Sequence, residues 1–170
     1  MAAKTGTYSL IASTTLASAT GTVTFSSVPQ TYTDLIVVSS RQQASAARLY
    51  IRFNNDATSV YSDVWLSGEG ATVYNGRDTS STAISIGGIW NGTTTTTWAT
   101  NTTHIMDYAN TTTFKSTITR DSNDKAGTGT VEAMIGLYRS TSAITTVNVV
   151  GGSNFSIGST FKLYGIEAAK

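Results

Sequence analysis

Hydroxyl side chains alternate with β-branched and aromatic ones through most of this chain, and the period of the alternation is two. Roughly a third of the residues are Ser or Thr, interleaved with Val, Ile, Phe and Tyr. Threonine's branched carbon stiffens the side chain and fits a pleated, half-buried surface. A hydroxyl-rich chain without apolar partners would stay disordered, because it could not bury enough surface to offset its lost entropy. Here the partners are present, and no segment sustains a 3.6-residue apolar period. The chain is therefore expected to be all-β.

Read in order, the strands are Thr7 to Ala12, Gly21 to Phe25, and the apolar run Asp34 to Val38 after a corner at Val28-Pro29-Gln30. Arg48 to Phe53 alternates, with Leu49, Ile51 and Phe53 inward, and Asn54-Asn55-Asp56 closes it with residues that tolerate left-handed backbone. Val60 to Leu66 and Thr82 to Trp90 follow, then a polar insert from Asn91 to Thr103. His104 to Tyr108 and Phe114 to Arg120 come next, with Asp121 to Gly127 read as a surface turn. Val131, Ala133, Ile135 and Leu137 share one face of a further strand; Ile144 to Val150 and Thr160 to Ile166 complete the set. About ten short strands separated by turns point to a two-sheet antiparallel β-sandwich, jelly-roll-like in architecture. Leu35, Val37, Leu49, Ile51, Phe53, Ile135, Leu137 and Phe161 are the expected core. At 170 residues a single domain over 7–170 is expected, preceded by an extended arm, residues 1–6.

The charge content narrows the partners. Only 12% of residues are charged, against about 25% in an average soluble domain. The net charge is +1 with no basic run, which argues against nucleic acid. There is no cysteine, hence no disulfide or thiolate metal site, and no run of about 20 apolar residues to span a membrane. Lys4, Leu10-Ile11 and Ala17-Ser18-Ala19 imitate a signal peptide, but Ser13, Thr14 and Thr15 break its apolar centre, so a strand is expected there.

The search for chemistry gives little. Asp121 to Gly127 has the outline of a calcium loop, but Lys125 and Ala126 stand where a ligand and a glycine are needed. His104 is the single histidine; on a strand Asp107 would face the other way, leaving only a distant carboxylate to orient it. The ten acidic residues are scattered without a pair spaced for glycoside hydrolysis. No catalytic, cofactor-binding or metal residue is assigned. Aromatics are more suggestive: Trp90 and Trp98 flank the Thr-rich insert, suited to core support, protein contact or stacking on a sugar.

Two stretches carry a resemblance. Tyr8 to Leu16 leading into Val23 to Leu35, and the ending Gly158 to Ile166, resemble small virion structural proteins of tailed bacteriophages. The match covers the two ends, about a third of the chain. It implies a non-enzymatic capsid cement or decoration subunit on the outer surface of the phage head, made in the bacterial cytoplasm and contacting the major capsid protein or other virion proteins. It also implies a homo-oligomer, with a ring of three as first choice. The alternative within the resemblance is a tail or head-fibre module that binds a host receptor or glycan. Cofactors are not expected. Met1, Lys4, Trp90 and Trp98 are the candidate interface residues, the first two because the arm has no pattern that would pack into its own core.

Overall fold

The computed structural model describes residues 7–88, 96–124 and 129–167. Among them are twelve strands and no helix: β1 (Tyr8–Thr15), β2 (Thr20–Phe25), β3 (Asp34–Arg41), β4 (Leu49–Phe53), β5 (Tyr61–Glu69), β6 (Thr72–Ser81), β7 (Ile84–Gly87), β8 (Ala99–Met106), β9 (Lys115–Asn123), β10 (Thr130–Tyr138), β11 (Val147–Phe155) and β12 (Thr160–Ile166). They form two antiparallel sheets, as the period-two pattern requires. The larger runs β1-β12-β3-β8-β9-β10-β5-β6 and the smaller β2-β11-β4-β7. The expected arm, residues 1–6, lies outside the described residues.

Between the sheets lies one apolar core. Leu35 and Val37 of β3, Phe161 and Leu163 of β12, and Ile105 of β8 meet Leu49, Ile51 and Phe53 of β4, Ile84 and Ile86 of β7, and Val147 and Val149 of β11. At one end Tyr61 stacks on Tyr138 with centroids 4.9 Å apart, and Phe53 tilts against Tyr138 at 5.4 Å. The Tyr61 hydroxyl accepts from the Phe53 amide at 3.1 Å and donates to the Asp56 carbonyl at 2.9 Å, so its polar end is satisfied. Asn54 and Asn55 adopt positive φ in the turn after β4, as their residue type suggests.

Four strands cannot cover eight. Under β7, the edge of the small sheet, the inner face of the large one turns polar. Fully buried Arg41 at the end of β3 donates from Nη1 to Asp121 Oδ1 of β9 at 2.9 Å. Asn101 Nδ2 of β8 donates to the same carboxylate oxygen at 3.3 Å and also to the Ile86 carbonyl. Thr103 donates to Asn101 Oδ1 at 3.0 Å and bonds Thr119 at 2.9 Å. A small cluster of Trp65 and Met134, with Tyr74 against it, completes that end.

Several sequence expectations change here. Asp121 is not in a surface turn: β9 runs on to Asn123, and Asp121 is buried beneath Gly87, where a Cβ would stand 2.6 Å from its carboxylate. The polar insert is shorter than expected, because Ala99 to Thr103 belong to β8 with Ala99, Asn101 and Thr103 inward. β6 carries few apolar residues and was not foreseen. It is an edge strand exposed on much of both faces, so no alternation is imposed on it. The face of β10 is reversed: Ile135 is 60% exposed and Leu137 half-buried, while Thr130, Glu132, Met134, Gly136 and Tyr138 point inward. Gly136 is the physical reason, since a Cβ there would stand 2.4 Å from Ile84 Cγ2.

The contrast between two neighbouring aspartates tests this arrangement. Asp121→Ala strands a buried guanidinium and is expected to cost about 3–5 kcal/mol in denaturant unfolding. Asp124→Ala, at an exposed position, is expected to stay within about 0.5 kcal/mol of the parent.

Candidate interaction surface

Of the residues singled out from sequence, Met1, Lys4 and Trp90 lie outside the described residues. Trp98 is placed just before β8 and is 44% exposed. Its carbonyl accepts from the Asp124 amide at 3.3 Å, which ties it to the end of β9. The indole borders an open groove of about 630 Å³ lined also by Gly68, Thr100, Ser122, Asp124 and Val131. Thr100 and Ser122 are joined hydroxyl to hydroxyl at 3.0 Å across β8 and β9. An exposed ring beside hydroxyls, an amide and one carboxylate is the chemistry of a stacking platform with hydrogen-bonding neighbours. Trp65 is a core residue, lying flat over Gly76, where a Cβ would meet its ring at 2.4 Å.

His104 has a carboxylate partner, and it is distant in sequence. Asp34 Oδ2, at the start of β3, is 3.0 Å from His104 Nε2, and Asp34 Oδ1 accepts from the Asp107 amide at 2.7 Å. Asp107 itself lies past the end of β8 with positive φ. Among the described residues no hydroxyl hydrogen-bonds to the imidazole, and no group of three His, Asp or Glu residues is placed to hold a metal ion.

The dominant surface feature is the outer face of the large sheet. Val64 and Leu66 of β5, Val73 of β6, Ile118 of β9, and Val131 and Ile135 of β10 are each between 47% and 66% exposed. The register joins them. Ile118 lies opposite Ile135, and Ile135 opposite Val64, whose far neighbour is Arg77. Arg120, Ala133, Leu66 and Asn75 form the next row. On the other side of Ile118 the row continues to His104 and Ile36. Sequence reasoning assigned Ile135 and Leu137 to the core and passed over Val64 and Ile118. The available signal was that β5 and β10 hold apolar residues in both phases of the alternation, so one set had to face outward.

The inner face of β5 holds the other electrostatic feature. Asp63 is almost fully buried, and its Oδ2 accepts from the Ser85 amide at 3.1 Å. Its cross-strand neighbour Asp78 takes the nearby cation instead, Arg48 Nη1 donating to Asp78 Oδ2 at 2.8 Å. Burial therefore pushes the Asp63 carboxyl from 3.8 up to about 6. Between those values the folded chain keeps a proton that the unfolded chain has released. Stability attributable to this group thus falls as pH rises from 3.8 to about 6 and is level above that.

Asp63→Asn is accordingly expected to be more stable than the parent by about 1–3 kcal/mol near neutral pH, with the gap closing toward pH ~4. Urea unfolding of both proteins across that range reads it directly. A gap that stays constant with pH would show that Asp63 does not titrate in this window. No protein-family model matches this chain, and neither a curated protein nor a solved structure matches it.

Proposed function

We propose that this chain is a non-enzymatic structural subunit of a larger assembly, a capsid cement or decoration subunit on the head of a tailed phage. The observation that carries the assembly part is the outer face of β9, β10 and β5, whose aliphatic side chains point to solvent beside a polar, internally bonded interior. Contiguous apolar patches of that kind mark protein contacts. The virion part rests on the resemblance of the two ends of the chain, which supply β1, the end of β2, the start of β3, and β12. Buried charged groups support a structural role: Arg41 is committed to Asp121, and Lys115 Nζ donates to the carbonyls of Thr113 and Thr141 at 2.9 and 2.8 Å. Burial lowers the Lys115 pKa from its ordinary value.

The arm completes the proposal. Residues 1–6 precede β1, which is an edge strand of the large sheet, and are proposed to reach a neighbouring subunit or the shell, with Lys4 adding about 0.2–1 kcal/mol on an acidic patch. Deleting residues 1–6 is expected to leave the melting temperature nearly unchanged and to lower occupancy on purified particles after heating or dilution. Unfolding of the truncated chain would place the arm in the core, and unchanged occupancy would remove its role in retention.

A second reading is favoured by one observation, the exposed Trp98 beside its hydroxyl-lined groove. In that reading the chain is a tail or fibre module that stacks the indole on a host sugar. Trp98→Ala is then expected to abolish binding to a glycan array while occupancy on the particle is unchanged. Copy number separates the two readings, with hundreds per particle expected for cement and tens or fewer for a tail part.

A further inference from the structure

We propose that the outer face of β9, β10 and β5 is covered by a second copy of this chain, the two large sheets stacking face to face about a two-fold axis that runs along β10. The inference deepens the assembly reading and rests on it only in requiring that protein cover this face.

The area suits such a pairing. The six exposed aliphatic side chains leave on the order of 600 Å² uncovered, the upper end of the largest patch on a typical monomer. With Ala133, Leu137 and the stems of Arg77 and Arg120, the face approaches the ~800 Å² per partner of a standard interface. A cyclic ring would instead need a second, complementary surface on the same chain. The two-fold arrangement needs only this one, provided it complements itself.

It does. The central row reads Arg77, Val64, Ile135, Ile118, His104 across β6, β5, β10, β9 and β8. Rotation about β10 reverses that order in the partner. Ile135 then meets its own counterpart, Val64 meets Ile118, and Arg77 meets His104. The imidazole is held 3.0 Å from Asp34 Oδ2, so the guanidinium of one copy arrives at the carboxylate of the other. In the next row Ala133 is its own counterpart, Leu66 lies under the stem of Arg120 and Asn75 meets Thr102; in the third Val131 is its own counterpart, Gly68 meets Ser122, and Val73 meets Thr100. Stacked sheets lie about 10 Å apart, a spacing that such side chains fill.

Light scattering on the purified full chain, over roughly 1–100 μM, is expected to give the mass of two copies. Ile135→Lys, on the axis, is expected to weaken association at least a hundredfold without changing the circular dichroism spectrum. Should that variant not fold, Leu66→Gln with Ile118→Gln carries the same test. The chain has no cysteine, so Ile135→Cys offers a single thiol. A bis-maleimide of about 10 Å reach is expected to join it to its counterpart, and not to join Thr24→Cys on the small sheet. A monomer at ~100 μM, a trimer, or a dimer indifferent to these substitutions overturns the proposal. Particle occupancy of the parent chain is scored separately: a monomer that still occupies particles refutes the pairing alone, and a dimer that never binds particles refutes the virion reading alone.

Discussion

The sandwich is built from unequal sheets, and the rest of the structure depends on the polar contacts made where the edge of the narrow one crosses the wider one. The four-stranded sheet supplies aliphatic and aromatic partners only to part of the eight-stranded one. Under its β7 edge the inner face is polar, and most of the groups there bond one another, because a buried polar atom without a partner costs several kcal/mol. Arg41 and Asp121 solve most of this. Their strands, β3 and β9, flank β8, and the pair closes over Asn101, whose amide also holds the carbonyl of Ile86 in the small sheet. One charged contact thus fixes three strands of the large sheet and the edge of the small one. Desolvating two charges is expensive, so the pair contributes specificity of placement more than net stability.

That placement sets which residues face solvent. Side chains alternate along a strand, so bringing Thr119 and Asp121 inward sends Ile118 and Arg120 outward. β10 follows, since Gly136 must pass under Ile84 and Tyr138 must stack on Tyr61. Val131 and Ile135 are then left outside. Hydrophobicity alone would favour a one-residue slip that buries the isoleucines. Such a slip would strand Arg41, drive a side chain into Ile84 and break the aromatic stack. The exposed apolar face is the other side of those three constraints.

This also explains what the sequence disclosed. Where a strand is covered on its inner face by aliphatics, as β3, β4 and β12 are, period-two reading located both the strand and its buried phase: Leu35, Val37, Leu49, Ile51, Phe53 and Phe161 are all fully buried. Turns were legible where the chemistry is local, as at Asn54-Asn55. The reading broke down where burial is polar. Asp121, Asn101 and Thr103 look like surface residues one at a time, and only the fold supplies the partners that make them interior. β6 was invisible because an edge strand with both faces open has no pattern to show. The candidate surface was hidden for the same reason as β10's orientation, since nothing local says which of two apolar phases is covered.

The strand edges bear on the proposed pairing. Exposed strand edges invite pairing with other chains, and proteins blunt them with bulges, charge or short length. Here the pairings made by the four edge strands, β1, β6, β2 and β7, each carry a register irregularity, whereas the six pairings between interior strands carry none. A bulge bends and twists its strand away from the flat geometry a new strand needs. β7 is in addition only four residues long, and β6 presents Arg77 and Asp78 along its length. Routes to open-ended strand addition are therefore obstructed at these margins, while the apolar outer face of β9, β10 and β5 is regular in its pairing. An edge would propagate into a fibre; a self-complementary face closes after a single partner. The distribution of irregularities thus fits the proposed pairing through the middle of the larger sheet better than strand addition at its margins.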